Sequence, residues 1–155
     1  FVLIGEVAYK NQVEKRIKDE NIKNVTLLPF QPYEDIAHVF SLGDVGLIIS
    51  KAGVGSNSVP SKTWNYMAAG RPILSSFDTD SELSKLIRKV ECGITVEADN
   101  MHALIKAIEM LKKCTHLQKY SRAGKHYLMT AHDKDTCVNE YVNTLESTKQ
   151  GEVYE

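Results

Sequence analysis

The sequence predicts an α/β fold: a three-layer sandwich with helices on both faces of a parallel five-stranded sheet, closed by extra C-terminal helices. Three observations carry this. Strand and helix signals alternate strictly along the 155 residues, the pattern of successive βα units. The apolar runs are short and continuous, as strands covered on both faces require. Clusters of Gly, Pro, Ser and Asn separate them, and a chain of this length buries roughly 68–70% of its unfolded surface, enough for one core.

Each element has its own signal. Phe1–Ile4 is a continuous apolar run and reads as the first strand. Tyr9–Glu20 is rich in charge, with Val13 and Ile17 as a narrow apolar stripe, so it reads as a surface helix. Val25–Leu28 is a second strand, stopped by Pro29 and Pro32, and Tyr33–Leu42 is a short amphipathic helix. Val45–Ile49 is a third strand. The small, polar stretch Lys51–Val59 is a loop. A helix opens near Pro60, where a first-turn N–H has no partner to lose, and stops at Gly70 ahead of Pro72.

Ile73–Ser75 is the fourth strand and Ser81–Val90 a helix with Asp80 as its expected N-cap. Gly93–Val96 is the fifth strand. Asp99 is the expected cap of Met101–Lys113, whose apolar residues recur at helical spacing. Helices over His116–Ala131 and Lys134–Ser147 follow. Residues 149–155 read as a flexible polar tail after a single domain over 1–148.

Composition excludes several classes. With 43% hydrophobic and 25% charged residues, the chain is neither disordered nor collagen-like. Lys and Arg number 19 against 20 Asp and Glu, so the net charge of −1 leaves no footprint for nucleic acid. No apolar run approaches the ~18 residues of a membrane span, and no signal peptide is evident. Cys92, Cys114 and Cys137 form no CxxC pair and suit thiols in a reducing compartment. The five histidines (His38, His102, His116, His126 and His132) show no HExxH or paired ligand spacing, so no metal site is expected.

The informative segment follows the third strand: Gly53-Val54-Gly55-Ser56-Asn57-Ser58-Val59-Pro60-Ser61-Lys62-Thr63. Ligands of parallel sheets bind outside the carboxyl ends of the strands, where this loop lies. Unpaired amides at a helix start, the positive end of its dipole and a Lys ammonium together suit an anion. An ordinary Gly/Ser loop running into a capped helix accounts for the same residues. It is not a Walker A loop, because Ser61 rather than Gly precedes Lys62, and Gly5-Glu6-Val7 is no dinucleotide fingerprint.

Val59-Pro60-Ser61-Lys62, followed by Met67-Ala68-Ala69-Gly70-Arg71-Pro72-Ile73, resembles the nucleotide-sugar-binding half of family 4 ("group 1") GT-B glycosyltransferases. The nearest likeness is to the exopolysaccharide and lipopolysaccharide branch with a Pro-Ser-Lys motif. Val2–Gly5, Asn24–Phe30, Gly43–Val45 and Cys92–Val96 follow in the family's order, so the resemblance covers roughly Phe1–Lys113. It implies a Rossmann-like sandwich lacking the family's first strand. It also implies a retaining, metal-independent transferase without a cofactor, in which a nucleoside-diphosphate sugar is the co-substrate and a glycan or lipid-linked molecule the acceptor. A cytoplasmic location is implied, with peripheral association of the parent at the inner-membrane face.

Carried over by position, Ser61, Lys62 and Thr63, with the backbone of Ser58 to Pro60, would hold the diphosphate. Pro29, Phe30 and Gln31 would face the base. The family's two Glu, spaced E-x7-E, fall at Asn57 and Asn65. Asn57 thus stands at the catalytic position without a charge. Asn65 would meet the ribose with one acceptor oxygen and an NH2 instead of a carboxylate. Asp78, Asp80 and Glu82 follow the fourth strand and read either as contacts to sugar hydroxyls or, for Asp80, as a cap. Trp64 reads as core or as a stacking platform.

Phe1 sits inside a strand signal, so the reading expects a piece of a longer chain whose acceptor domain, first strand and first helix lie elsewhere. Direct pairing of Phe1–Ile4 with Val45–Ile49 would then close the sheet. Two alternatives from other classes stand beside this one: a flavodoxin-like binding domain, such as a phosphoacceptor receiver, and a transferase domain that binds nucleotide without chemistry.

Overall fold

The computed structural model describes residues 1–6, 9–55 and 58–149. Five strands and seven helices follow in the expected order: β1 (Val2–Ile4), α1 (Lys10–Asp19), β2 (Thr26–Leu28), α2 (Ile36–Ser41), β3 (Gly46–Ile49), α3 (Lys62–Ala68), β4 (Ile73–Ser76), α4 (Glu82–Val90), β5 (Gly93–Val96), α5 (Met101–Lys113), α6 (Leu117–Ala131) and α7 (Lys134–Lys149). A single 3-10 turn, Tyr33–Asp35, leads into α2, so the helix expected over Tyr33–Leu42 is split.

The chain divides into two compact units, Phe1–Asp44 and Val45–Glu155. In the first, β1 and β2 pair in parallel, with Val2 opposite Thr26 and Ile4 opposite Leu28. None of its described residues is buried. A two-stranded ribbon with short helices encloses too little volume to hide a side chain from water.

The second unit holds the core. Its sheet is parallel in the order β3-β4-β5, with Gly46 opposite Ile73 and Ile73 opposite Gly93. Alternate residues of the strands feed two separate clusters, because successive side chains of a strand leave opposite faces. Ile48, Ile73 and Phe77 pack with Met67, Leu83, Ile87 and Cys92 on the side of α3 and α4. Leu74 packs with Ala107 and Leu111 of α5 on the other. Helices on both sides of a parallel sheet are therefore found as expected.

The expected single sheet of five strands is corrected to two, of two and three strands. No ladder joins β1 to β3 among the described residues: β1 bonds to β2 and β3 to β4.

Both expected caps shift by one residue. Ser81, not Asp80, caps α4: its backbone is extended (ψ 154°), and its Oγ accepts the Ser84 N–H at 3.2 Å. Asn100, not Asp99, caps α5, with Oδ1 accepting the Ala103 N–H at 3.0 Å. The Gly70 stop is found as read. Its φ of +64° lets its own N–H reach Met67 O at 3.0 Å and the Arg71 N–H reach Tyr66 O at 2.9 Å, the paired bonds of a Schellman close. The cysteines are free, and burial pushes the Cys92 thiol up to about 11.

Leu83 is fully buried in the first cluster, whereas Met110 of α5 is 55% exposed. Leu83→Ala is expected to cost about 2–5 kcal/mol and Met110→Ala no more than about 0.5. Urea unfolding of the two variants checks the contrast.

Candidate functional site

β3, β4 and β5 run in parallel, so their carboxyl ends lie on one edge of the second unit. The loop from β3 to α3 starts from that edge. Ser50 N–H continues the ladder to Ser76 O at 3.0 Å, and beyond it the loop is fastened by side chains. Ala52 N–H donates to Asp99 Oδ2 at 3.0 Å. Gly53 N–H donates to both carboxylate oxygens of Asp78, at 2.9 and 3.1 Å. Gly55 is buried, and a Cβ there would lie 2.4 Å from the Phe77 ring, so only glycine lets the loop pass under that ring. Ser58 N–H returns to Gly55 O at 3.3 Å, and the chain enters α3.

Of the residues expected to hold a diphosphate, Ser58, Ser61 and Lys62 are exposed and Pro60 is half-buried. Among the described residues Lys62 forms no ion pair. Asn65, one turn further on, is exposed as well.

Two expectations are corrected. Thr63 is completely buried, with its Oγ1 unpartnered among the described residues, so its side chain belongs to the interior rather than to a ligand. Two amides of the expected open row are spent. Ser61 is already helical (φ −56°, ψ −31°), which turns Thr63 N–H onto Pro60 O at 2.9 Å and Trp64 N–H onto Ser61 O at 3.2 Å. Exposed Ser61 and Lys62 add a hydroxyl and an ammonium to this turn. Asn57 lies outside the described residues.

Pro29, Phe30 and Gln31 belong to the first unit. Phe30 is 74% exposed, and Gln31 Nε2 donates to Pro29 O at 2.8 Å, which stiffens the turn that displays the ring. Trp64 packs against the first core cluster and stacks on His132, with ring centroids 4.1 Å apart. That is the core reading of the residue. A hollow of about 310 Å³ beside it is lined by Val59, Trp64, Glu82, Lys85, Leu86 and Lys89. Glu82 is engaged by Lys85 at 2.8 Å.

The sequence reading missed that Asp78 and Asp99 hold the loop. A signal was present, since an acidic residue follows each of β4 and β5 within three positions.

The model of the family "Glycosyl transferases group 1" matches residues 1–127. The chain belongs to that family. It is 23% identical over 146 residues to WcaI of Escherichia coli (strain K12), described provisionally as a colanic acid biosynthesis glycosyl transferase, covering 94% of this chain and 35% of that protein. It is 26% identical over 109 residues to WbjE of Pseudomonas aeruginosa, described provisionally as a glycosyltransferase, covering 70% of this chain and 27% of that protein. Two solved structures share the fold. Sucrose-phosphate synthase from Thermosynechococcus elongatus has a TM-score of 0.76 at 17% identity, covering 97% of this chain and 38% of that one. WaaG, a glycosyltransferase involved in lipopolysaccharide biosynthesis, has a TM-score of 0.65 at 14% identity, covering 83% and 33%. The chain thus spans about a third of the length of the curated relatives it matches.

The Ser81 cap lets α4 begin where the strand-end loop needs it to. Ser81→Ala is expected to destabilise the unit by about 0.5–2 kcal/mol. A lowered unfolding midpoint with unchanged helix content by circular dichroism is the result that checks it.

Proposed function

We propose that this chain is the donor-binding half of a retaining, metal-independent glycosyltransferase. It takes a nucleoside-diphosphate sugar as co-substrate, needs no cofactor, and serves transfer to a glycan or lipid-linked acceptor in surface polysaccharide biosynthesis. The acceptor is held by a partner domain of the parent protein. The parent works in the cytoplasm, peripherally at the inner face of the membrane. No helix among the described residues is long and apolar enough to cross a membrane. Membership of the group 1 family supports the class of reaction, and the descriptions of WcaI and WaaG support the surface-polysaccharide setting.

The observation that carries the donor site is the exposed pair Ser61 and Lys62, at the point where the loop from the β3 end turns into α3. Cleavage of the bond from the anomeric carbon to the diphosphate leaves negative charge on the departing phosphate. An ammonium and a hydroxyl held there favour that charge more in the transition state than in the intact donor. In this reading Lys62 supplies the charge, Ser61 orients it, and Asn65 meets the ribose hydroxyls.

A second reading is favoured by one feature, the Asn at 57 and 65 where the family pattern has Glu. In it the chain binds the sugar nucleotide and performs no transfer. A hydrogen bond to a charged group is worth about 1.5–3 kcal/mol, against about 0.5–1.5 for a neutral one. Asn65→Glu should therefore tighten donor binding about tenfold.

A panel of UDP, GDP and ADP and their sugars, followed by thermal shift and titration calorimetry, tests both readings. One of these nucleotides is expected to raise the melting temperature of the chain, and Lys62→Ala to weaken it about tenfold. Binding of none overturns the proposal. Binding of a sugar nucleotide with no release of its sugar by the full-length parent favours the reading without chemistry.

A further inference from the structure

We infer that Asp78 and Asp99 are positioning residues: a two-carboxylate clamp that sets the β3–α3 loop, and through it the segment from Ser58 to Lys62. As a device for ligand binding the clamp rests on the donor-site reading. As a device for ordering the loop it stands on the geometry alone.

The loop leaves the end of β3, Asp78 lies two residues past β4, and Asp99 three past β5. The segments that follow β4, the neighbour of β3, and β5, the next strand beyond, thus each send one carboxylate to one of two successive loop amides. Gly53 N–H lies between both oxygens of Asp78, and Ala52 N–H meets Asp99 Oδ2. Bonds from N–H to an ionised carboxylate are stronger than neutral ones.

The backbone is arranged for this contact. Asp99 adopts a left-handed φ of +58°, a conformation that costs a non-glycine residue energy and is tolerated best by Asn and Asp. Its expected use, capping α5, is performed by Asn100 instead. The carboxylate of Asp99 is therefore available to the loop, and its strained backbone aims it there. Gly53 is left-handed too, at φ +75°.

Two residues beyond the clamp, Gly55 passes beneath Phe77, which is held on β5 by Phe77 N–H to Val96 O at 3.1 Å and by Ala98 N–H to Phe77 O at 3.1 Å. Order at the strand ends therefore passes to Ala52 and Gly53 through carboxylates and to Gly55 through an aromatic ring. From Gly55 the path to Ser58 is one backbone hydrogen bond.

The test is amide hydrogen exchange by NMR, together with nucleotide titration, on Asp78→Asn, Asp99→Asn and the double variant. Glu109→Gln, on exposed α5 surface, is the control. Each Asn keeps the side chain's size and one acceptor oxygen but loses the charge. Exchange at Ala52 and Gly53 is expected to rise about tenfold in the matching single variant. Exchange at Ser58, Ser61 and Lys62 is expected to rise with it, and affinity for the nucleotide that binds the unaltered chain to fall about tenfold.

A faster Ala52 and Gly53 with an unchanged Ser58 to Lys62 segment would make the contacts local, and would overturn the clamp. Faster exchange throughout the segment with unchanged affinity would bear out the ordering of the loop and overturn the clamp's role in ligand binding. If the unaltered chain binds no nucleotide, the donor reading fails by itself, and exchange at Ser58 to Lys62 still decides whether the clamp orders the loop. Should an Asn variant fail to fold, Gly53→Ala opens the same clamp. Its Cβ has nothing within 4 Å, yet the side chain opposes the left-handed φ.

Discussion

The second unit depends on the burial of β4 from both sides. All four of its residues are buried, and it bonds to β3 along one edge and β5 along the other. Ile73 and Leu74 enter opposite cores, but Ser75 and Ser76 bring hydroxyls inside with them. A buried hydroxyl without a partner costs about 1–3 kcal/mol, more than the roughly 0.8 kcal/mol a buried methylene group contributes, so pairing these hydroxyls matters. Ser75 Oγ donates to Thr95 Oγ1 at 2.8 Å, and Ser84 Oγ lies 2.8 Å from that same oxygen. The Ser81 cap on Ser84 N–H continues the chain of contacts. Sliding α4 by one turn over β4 and β5 would leave several of these groups unpaired at once. The polar seam therefore fixes a single arrangement, which apolar packing alone would specify less sharply.

That arrangement governs where the strand ends lie. Rigid elements hold functional loops best when the loop is tied to more than one of them. Here the β3–α3 loop is tied to the ends of β4 and β5 by carboxylates and to Phe77 by packing. The polar seam beneath and the carboxylates above belong to the same two strands. Loosening the interior at Ser75 or Thr95 would therefore be felt at Ala52 and Gly53, although neither residue touches the loop.

Most of the order of elements was legible, because continuous apolar runs such as Gly46–Ile49 and amphipathic ones such as Met101–Lys113 have different periods. The Gly70 stop was legible because left-handed backbone demands Gly. The caps were each misread by one residue for a local reason. Asp80-Ser81 and Asp99-Asn100 both pair two residues competent to cap, and propensity does not choose between them. The geometry does: an extended ψ at Ser81 and a left-handed φ at Asp99 decide which side chain faces the helix. Thr63 was misplaced because its rank among phosphate-binding residue types said nothing about which face of α3 it occupies. The split of the sheet was not legible, because pairing between strands distant in sequence leaves no periodic trace.

The charges at the candidate site bear on how a diphosphate would be recognised there. Carboxylates near such a ligand normally work against it. Asp78 and Asp99, however, each receive at least one backbone N–H, which offsets part of their field in the same way that counter-dipoles do at helix ends. At position 65, and by sequence at 57, the carboxylate is replaced by a neutral amide. The repulsion from nearby acids would thus be lower than the family pattern gives, and the exposed ammonium of Lys62 would face less competition. Asn65, in turn, offers a donor as well as an acceptor. Ribose recognition would then rest on the geometry of one amide rather than on charge. The two halves of a sugar nucleotide would be read by different physics, its phosphates by Lys62 and its ribose by hydrogen-bond direction. Such a site would discriminate between nucleotides through fit more than through overall attraction, because a neutral amide attracts little beyond its hydrogen-bonding reach.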